Sequence, residues 1–300
     1  MRRILFTHID LDGAGAELMV KLIYPDIETY RVDYNFDSDL TYRKIMAEAD
    51  SIIFTDISVS RDTAESLEAT RAYGKELLLL DHHESAKNNL EDLNYPWIHI
   101  NMEYSGALLA FLWYKDQLSM NLDSANYNNY GYLAQLVSDY DLWHHRYPES
   151  KKLQFLWSKI GTEQFVARFL QNSSMILSDE EESFVKESMD ALEESYQIAI
   201  ANMDPEEDSY GNKWLLIKNI GAMYSLVADR ILKENPDAAY CCIMSRKGSL
   251  SFRSRYYDVK QIAEALGGGG HRLAAGAPMV DLMDVISSVY QREVVTFPFH

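Results

Sequence analysis

Asp81-His82-His83 sets one carboxylate and two imidazoles directly after the apolar run Leu77-Leu78-Leu79-Leu80. A buried strand would end there, and an acid with two imidazoles at the mouth of a strand suits metal chemistry. Similar groups occur upstream. In His8-Ile9-Asp10-Leu11-Asp12-Gly13 an imidazole and two carboxylates alternate with apolar residues, so an extended chain would project all three one way. That much acid in so few residues is costly unless positive charge sits among it. A divalent ion such as Mn²⁺ accepts this mixture of nitrogen and oxygen donors. Phe54-Thr55-Asp56 ends a further apolar run, and Val137-Ser138-Asp139-Tyr140-Asp141 ends a helical one. Singly, Asp56 could cap a helix and Asp139 could end one. Together with the two longer motifs they form an ordered series of donors.

Strands and helices must bring those donors together. Over the first 100 residues, Arg3–Thr7, Glu28–Asp33, Ser51–Thr55 and Glu76–Leu80 read as strands. Gly13–Ile23, Thr41–Ala49 and Arg61–Tyr73 read as the helices between them. This rhythm implies an α/β fold with a parallel sheet and flanking helices. Such sheets bind ligands outside the carboxyl ends of their strands, where His8, Asp56 and Asp81 fall. From Tyr104 to about Leu170 the pattern is mostly helical. Ser178–Asn202 reads as one acidic helix with Ser178 as its N-cap, stopped by Met203-Asp204-Pro205.

A second α/β unit begins after Tyr210-Gly211-Asn212. Lys213–Lys218, Ala238–Ser245 and Ser249–Arg253 read as its strands, Ala222–Glu234 and Val259–Leu266 as its helices. Gly267–Gly270, His271 and a last helix near Leu282–Gln291 follow. The expected organisation is a catalytic domain over 1–177, a helical linker over 178–205 and a smaller α/β domain over 206–300.

At 300 residues, 47% hydrophobic and 25% charged, the chain has the length and composition of two soluble domains. No apolar stretch approaches the length of a membrane span, and Ile4-Leu5-Phe6 is too short for a leader core. The expectation is a cytoplasmic protein without membrane association. Cys241 and Cys242 are adjacent, so in a strand they face opposite ways and do not pair. A net charge of −18 without a basic stripe argues against long duplex nucleic acid. A polyanionic substrate would have to be short. Gly13-Ala14-Gly15 after a strand suggests a dinucleotide turn, but Leu18 fills the third glycine position and two aspartates would face the pyrophosphate.

The ordered motifs, His8-x-Asp10-x-Asp12-Gly13, Asp56, Asp81-His82-His83 and Asp139, resemble those of the DHH phosphoesterases. The second domain resembles the DHH-associated C-terminal domain through Ser251-Phe252-Arg253-Ser254-Arg255, Asp258-Val259, Gly267–Gly270, His271 and Ala274-Ala275-Gly276. The resemblance implies a site for two divalent ions, expected to be Mn²⁺. His8, Asp10 and Asp56 would hold one, and Asp12, Asp56, His82 and Asp139 the other, with Asp141 an alternative to Asp139. His83 would contact the substrate phosphate or assist a proton, and Asp81 would orient the histidines. Two such ions lower the pKa of a shared water, so no covalent protein nucleophile is needed.

The smaller domain would grip the substrate across a cleft. Gly268, Gly269 and Gly270 would let backbone N–H groups approach an anion. His271 would donate to a phosphate, and Arg253 and Arg255 would offer guanidinium forks from one strand face. Tyr256 or Tyr257 could stack on a base or pack in the core. His144-His145 reads as a surface or loop pair, and Tyr127, Tyr130 and Tyr132 as helix packing. The implied activity is removal of mononucleotides from very short oligoribonucleotides. Rival readings are a 3′-phosphoadenosine 5′-phosphate phosphatase, a phosphodiesterase for cyclic dinucleotides or their linear products, and a nucleotide-binding regulator without turnover. A homodimer is compatible with all of them.

Overall fold

Along Arg3–Thr7 (β1) successive side chains enter different cores, because neighbouring residues of a strand point to opposite faces. Ile4 and Phe6 join one apolar cluster and Leu5 the other. Ser51–Thr55 (β3) repeats the division, with Ile52 and Phe54 on one face and Ile53 on the other. A strand covered on both faces must be apolar throughout, which is why these segments read as unbroken runs.

The computed structural model describes residues 1–208, 211–220, 223–245 and 248–278, divided between two compact units, Met1–Val185 and Lys186–His300. In the first, β1 is followed by α1 (Leu11–Lys21), β2 (Glu28–Arg31), α2 (Leu40–Glu48), β3, α3 (Arg61–Arg71), β4 (Glu76–Asp81), α4 (Glu84–Leu90) and β5 (Ile98–Ile100). Five helices continue the chain: α5 (Gly106–Trp113), α6 (Lys115–Asn121), α7 (Ser124–Asp141), α8 (Pro148–Gln171) and α9 (Asp179–Ala201). All strand pairs of this sheet are parallel, in the order β2-β1-β3-β4-β5. From β1 the chain steps outward to β2, then returns past β1 to β3. The order therefore reverses between β1 and β3, and a crevice opens at their carboxyl ends. β5 was not expected; it has only three half-buried residues, too few for a periodic signal.

Phe54 lies at the middle of the sheet, fully buried, with its ring 5.6 Å from that of Phe6. α9 begins with a reciprocal cap. Glu181 N–H donates to Ser178 Oγ at 3.2 Å, and Ser178 N–H donates to Glu181 Oε2 at 2.8 Å. After α9, Met203–Glu207 (β6) is a strand of the second sheet.

The second unit continues with β7 (Lys213–Ile220), α10 (Tyr224–Glu234), β8 (Tyr240–Ser245), β9 (Ser249–Ser254), α11 (Lys260–Ala265), β10 (Gly269–His271) and β11 (Ala274–Pro278). Its sheet is mixed, in the order β10-β11-β9-β8-β7-β6, with β7 and β8 parallel. Cys241 faces the core under α10 and Cys242 the opposite core. Both are free and buried, and burial pushes the Cys241 thiol up to about 12. The helix expected near Leu282–Gln291 lies outside the described residues. Among the described residues no helix is long and apolar enough to cross a membrane.

Phe54→Ala should lower stability by about 3–5 kcal/mol, the usual cost of an aromatic cavity in a core that cannot collapse. Urea unfolding followed by tryptophan fluorescence checks this.

Candidate metal centre

The crevice collects donors from four places in the chain. His8 follows the last residue of β1, and Asp10 is the N-cap of α1. Asp12 sits in that helix's first turn. The three residues therefore converge through a strand-to-helix turn, and not through strand alternation as the spacing suggested. Asp10 faces both ways. Its Oδ1 accepts from Gly13 N–H at 2.9 Å, and its Oδ2 lies 2.7 Å from His8 Nδ1. Burial pushes the Asp10 carboxyl up, but the contacts with His8 and Gly13 outweigh it and hold it at about 2.

Asp56 follows β3 with φ +57, a left-handed conformation costly for a residue with a Cβ. It is 1% exposed, and its Oδ1 is 3.1 Å from His82 Nε2. Its Oδ2 is buried without a hydrogen-bond partner among the described residues. Burial, together with the charges of Asp12, Asp10 and Asp141, pushes the Asp56 carboxyl well up. Burial pushes His82 down, which favours the neutral imidazole that ligates metals. Asp81 is the last residue of β4. Its Oδ1 accepts from His82 N–H at 2.7 Å and His83 N–H at 3.3 Å, and it lies 2.8 Å from His83 Nδ1.

The helix-end acids divide in a way the sequence left open. Residues two apart on a helix point nearly opposite ways, so Asp139 and Asp141 cannot both face the crevice. Asp141 does, with Oδ2 3.5 Å from His82 Nε2. Asp139 turns away. Its carboxylate accepts from Arg146 N–H at 3.0 Å, Arg146 Nε at 3.3 Å and Tyr147 N–H at 3.2 Å, tying down the turn into α8. Asp141, the alternative, and not Asp139 therefore lies among the candidate donors. His144 and His145 belong to the same turn, their N–H groups donating to the Asp139 carbonyl.

Three overlapping groups of donors result: His8–Asp10–Asp56, Asp12–His82–Asp141 and Asp56–His82–His83. In each, the candidate ligand atoms lie within 4.8 Å of one another. A crowd of carboxylates, the unpartnered Asp56 Oδ2 and neutral imidazole nitrogen fit divalent cations of the Mn²⁺ type.

Two contributors carried no signal in the sequence. The α5 N-terminus points into the crevice, where Gly106 N–H donates to Asp12 Oδ2 at 2.5 Å and Ala107 N–H to Asp12 Oδ1 at 2.9 Å. A Cβ at Gly106 would stand 2.5 Å from the Asp56 Cβ. Tyr34, in the loop after β2, has its hydroxyl 3.1 Å from His83 Nε2 and its ring 4.8 Å from that of His8. Only the three-dimensional neighbourhood singles out either residue.

In the second unit the glycine run is partly a strand, with Gly269–His271 paired antiparallel to β11. Gly268 and Gly270 are needed because a Cβ there would strike the backbone of Gly276 and Ala275 respectively. Gly267 N–H and Gly268 N–H already donate to carbonyls of α11, those of Glu264 and Ala263. Gly269 is open on its side-chain side, and His271 is exposed. Arg253 bonds Ser225 Oγ, Ser251 Oγ and the Phe252 carbonyl, and lies over the Tyr224 ring. Arg255 does not share its strand face, because β9 ends at Ser254 and Arg255 lies exposed in the bend beyond. Tyr257 is in the core beside Tyr240, whereas Tyr256 is 57% exposed.

Asp141→Asn should weaken Mn²⁺ binding by about tenfold or more, read by isothermal titration. Asp139→Asn should act chiefly on stability, costing about 1–3 kcal/mol as the turn into α8 loses its acceptor. Gly106→Ala should also weaken Mn²⁺ binding, because its methyl must displace Asp56 or the helix end; a variant that binds as wild type would show that α5 yields instead.

No family model matches the chain. Over 306 aligned residues it is 26% identical to oligoribonuclease NrnB of Bacillus subtilis (strain 168), covering 92% of the chain and 73% of that relative. It is 24% identical to a 3′,5′-cyclic-nucleotide phosphodiesterase of Helicobacter pylori (strain ATCC 700392 / 26695), covering 90% of each. Among solved structures, the DHH domain of a member of the s1p family of ribosomal proteins superposes with a TM-score of 0.65 at 13% identity, over 96% of this chain and 85% of that one. That likeness concerns the fold; with His8-x-Asp10-x-Asp12-Gly13, Asp56 and Asp81-His82-His83 in order along it, the chain resembles the DHH phosphoesterases in its motifs as well.

Proposed function

We propose that the protein is a Mn²⁺-dependent phosphodiesterase that degrades very short oligoribonucleotides to mononucleotides. The observation that carries the reading is the run of overlapping donor groups. His8–Asp10–Asp56 and Asp56–His82–His83 share Asp56, and Asp12–His82–Asp141 joins them through His82. His8, Asp10 and Asp56 would hold one ion, and Asp12, Asp56, His82 and Asp141 a second. Bound there, the ions would supply an ionised water near neutral pH and offset charge on the phosphoryl oxygens.

The remaining roles belong to the chain itself. In hydrolysis, water adds to phosphorus, the bond to the leaving ribose oxygen breaks, and that oxygen takes a proton. His83 is the group suited to contact a phosphoryl or leaving oxygen, because Asp81 holds its Nδ1 and turns Nε2 outward. In the second unit, Arg253 has hydrogen bonds to neutral groups, which leaves its charge for a phosphate. Arg255, His271 and the open backbone at Gly269 are the further phosphate contacts, whereas Gly268 and Gly270 serve strand packing.

The oligoribonuclease relative supports short RNA as substrate, and the net charge of −18 disfavours long polyanions. The cyclic-nucleotide relative supports a second reading, a phosphodiesterase for cyclic nucleotides, with the same residues attacking a cyclic diester.

A Mn²⁺ time course on 5′-labelled RNAs of two to about ten nucleotides, beside cyclic mono- and dinucleotides, tests both readings. The expected result is fastest turnover of the shortest RNAs, abolished by a chelator and restored by Mn²⁺. Preferred cleavage of a cyclic substrate would replace the first reading by the second, and no cleavage of either would overturn both. Asp56→Ala should lower kcat by about 10³-fold or more, since both proposed ion sites lose their shared ligand.

A further inference from the structure

Tyr34 belongs to none of the motifs, yet it is anchored over the candidate metal centre. Its ring is tilted 39° against His8 and stands nearly perpendicular to His83, 5.7 Å away. The loop carrying it is fixed on both sides. Asp33 Oδ1 accepts the Tyr34 N–H at 2.7 Å, and Asn35 takes a left-handed φ of +61. Tyr34 nevertheless remains 51% exposed. A large aromatic side chain held half in water at a crevice of donors calls for a reason beyond packing.

The reason lies at its hydroxyl. Asp81, fully buried, holds His83 by Nδ1 at 2.8 Å. One hydrogen bond at one edge of an imidazole still lets the ring rock about that edge, which moves Nε2 most. The Tyr34 hydroxyl meets Nε2 at 3.1 Å. A phenol hydroxyl can donate to a bare ring nitrogen or accept from a protonated one, so the contact survives in either form of His83. The ring is then gripped at both nitrogens, from opposite edges, by residues 47 positions apart in the chain (81 − 34).

We infer that Tyr34 is a positioning residue that, with Asp81, clamps His83 by its two ring nitrogens in the substrate-free protein, so that Nε2 stands fixed until an incoming phosphoryl oxygen shares or takes over the Tyr34 contact. The inference rests on the phosphodiesterase reading above for its kinetic consequence, but not for its structural one. Preorganising a group that contacts the reacting phosphate acts on the chemical step and leaves initial binding nearly unchanged.

The test compares Tyr34→Phe, which keeps the ring packed on His8 and removes only the hydroxyl, with the wild type. Steady-state kinetics on a dinucleotide should show kcat lower by about tenfold, with KM and Mn²⁺ affinity within about twofold. Two-bond ¹H–¹⁵N spectra of the metal-free protein at one fixed pH should show a single well-defined His83 ring state in the wild type. In the variant they should show an exchange-broadened one. An unchanged His83 signal overturns the clamp, and so does a loss of activity accompanied by weaker Mn²⁺ binding or a raised KM, which would mark Tyr34 as scaffold or substrate contact. If the wild type cleaves no phosphodiester, the functional reading fails, and the spectra alone still decide whether Tyr34 holds His83.

Discussion

Like charges brought together in a poorly solvated crevice repel, and the carboxyl ends of the first sheet gather Asp12, Asp56 and Asp141 around His82, with Asp10 beside Asp56. Much of the surrounding architecture offsets that repulsion. The α1 N-terminus gives Asp10 the Gly13 N–H. The α5 N-terminus gives Asp12 two more. Both helices aim the positive ends of their dipoles at the cluster. Asp56 has no comparable relief at Oδ2, it lies between the other acids, and its backbone is held left-handed. Among the described residues Asp56 Oδ2 and Asp81 Oδ2 are the carboxylate oxygens buried without a hydrogen-bond partner, and both lie at the carboxyl ends of the first sheet's strands. A cation placed beside Asp56 would favour its ionised form and offset the repulsion among the acids.

Legibility from the sequence followed the range of the interactions. Strands β1, β3 and β4 were readable because burial on both faces makes their middles apolar, and the residues at or just after their ends carried the chemistry. Asp81-His82-His83 and His8-x-Asp10-x-Asp12 were readable because the donors are close in sequence. The choice between Asp139 and Asp141 was not, since it depends on the rotational phase of α7 about its own axis. Apolar patterning fixes that phase only to within a residue or two. Tyr34 and Gly106 were invisible for another reason: each matters through a contact with a residue far away in the chain, and neither type is unusual by itself.

The glycine run of the second unit shows the opposite hazard. Four consecutive glycines suggest a loop opened to admit an anion. Two of them, Gly268 and Gly270, are required by the close passage of β11, and two of the N–H groups are spent on the end of α11. Composition alone cannot separate room made for a ligand from room made for a neighbouring strand. The cysteine pair illustrates the simpler case, where strand geometry predicts opposite faces and Cys241 and Cys242 indeed enter different cores.

The bonds from α5 to Asp12 span 94 and 95 residues, and Asp141 arrives later still along the chain. During synthesis, therefore, the His8, Asp56 and Asp81-His82-His83 segments all emerge before the groups that align them. A nascent chain holding every motif but lacking α5 and the end of α7 would have its acids in place without their N–H partners or their last donor. A cation site built from these groups would therefore be complete only when the first unit is nearly whole, and fragments released early would lack part of it.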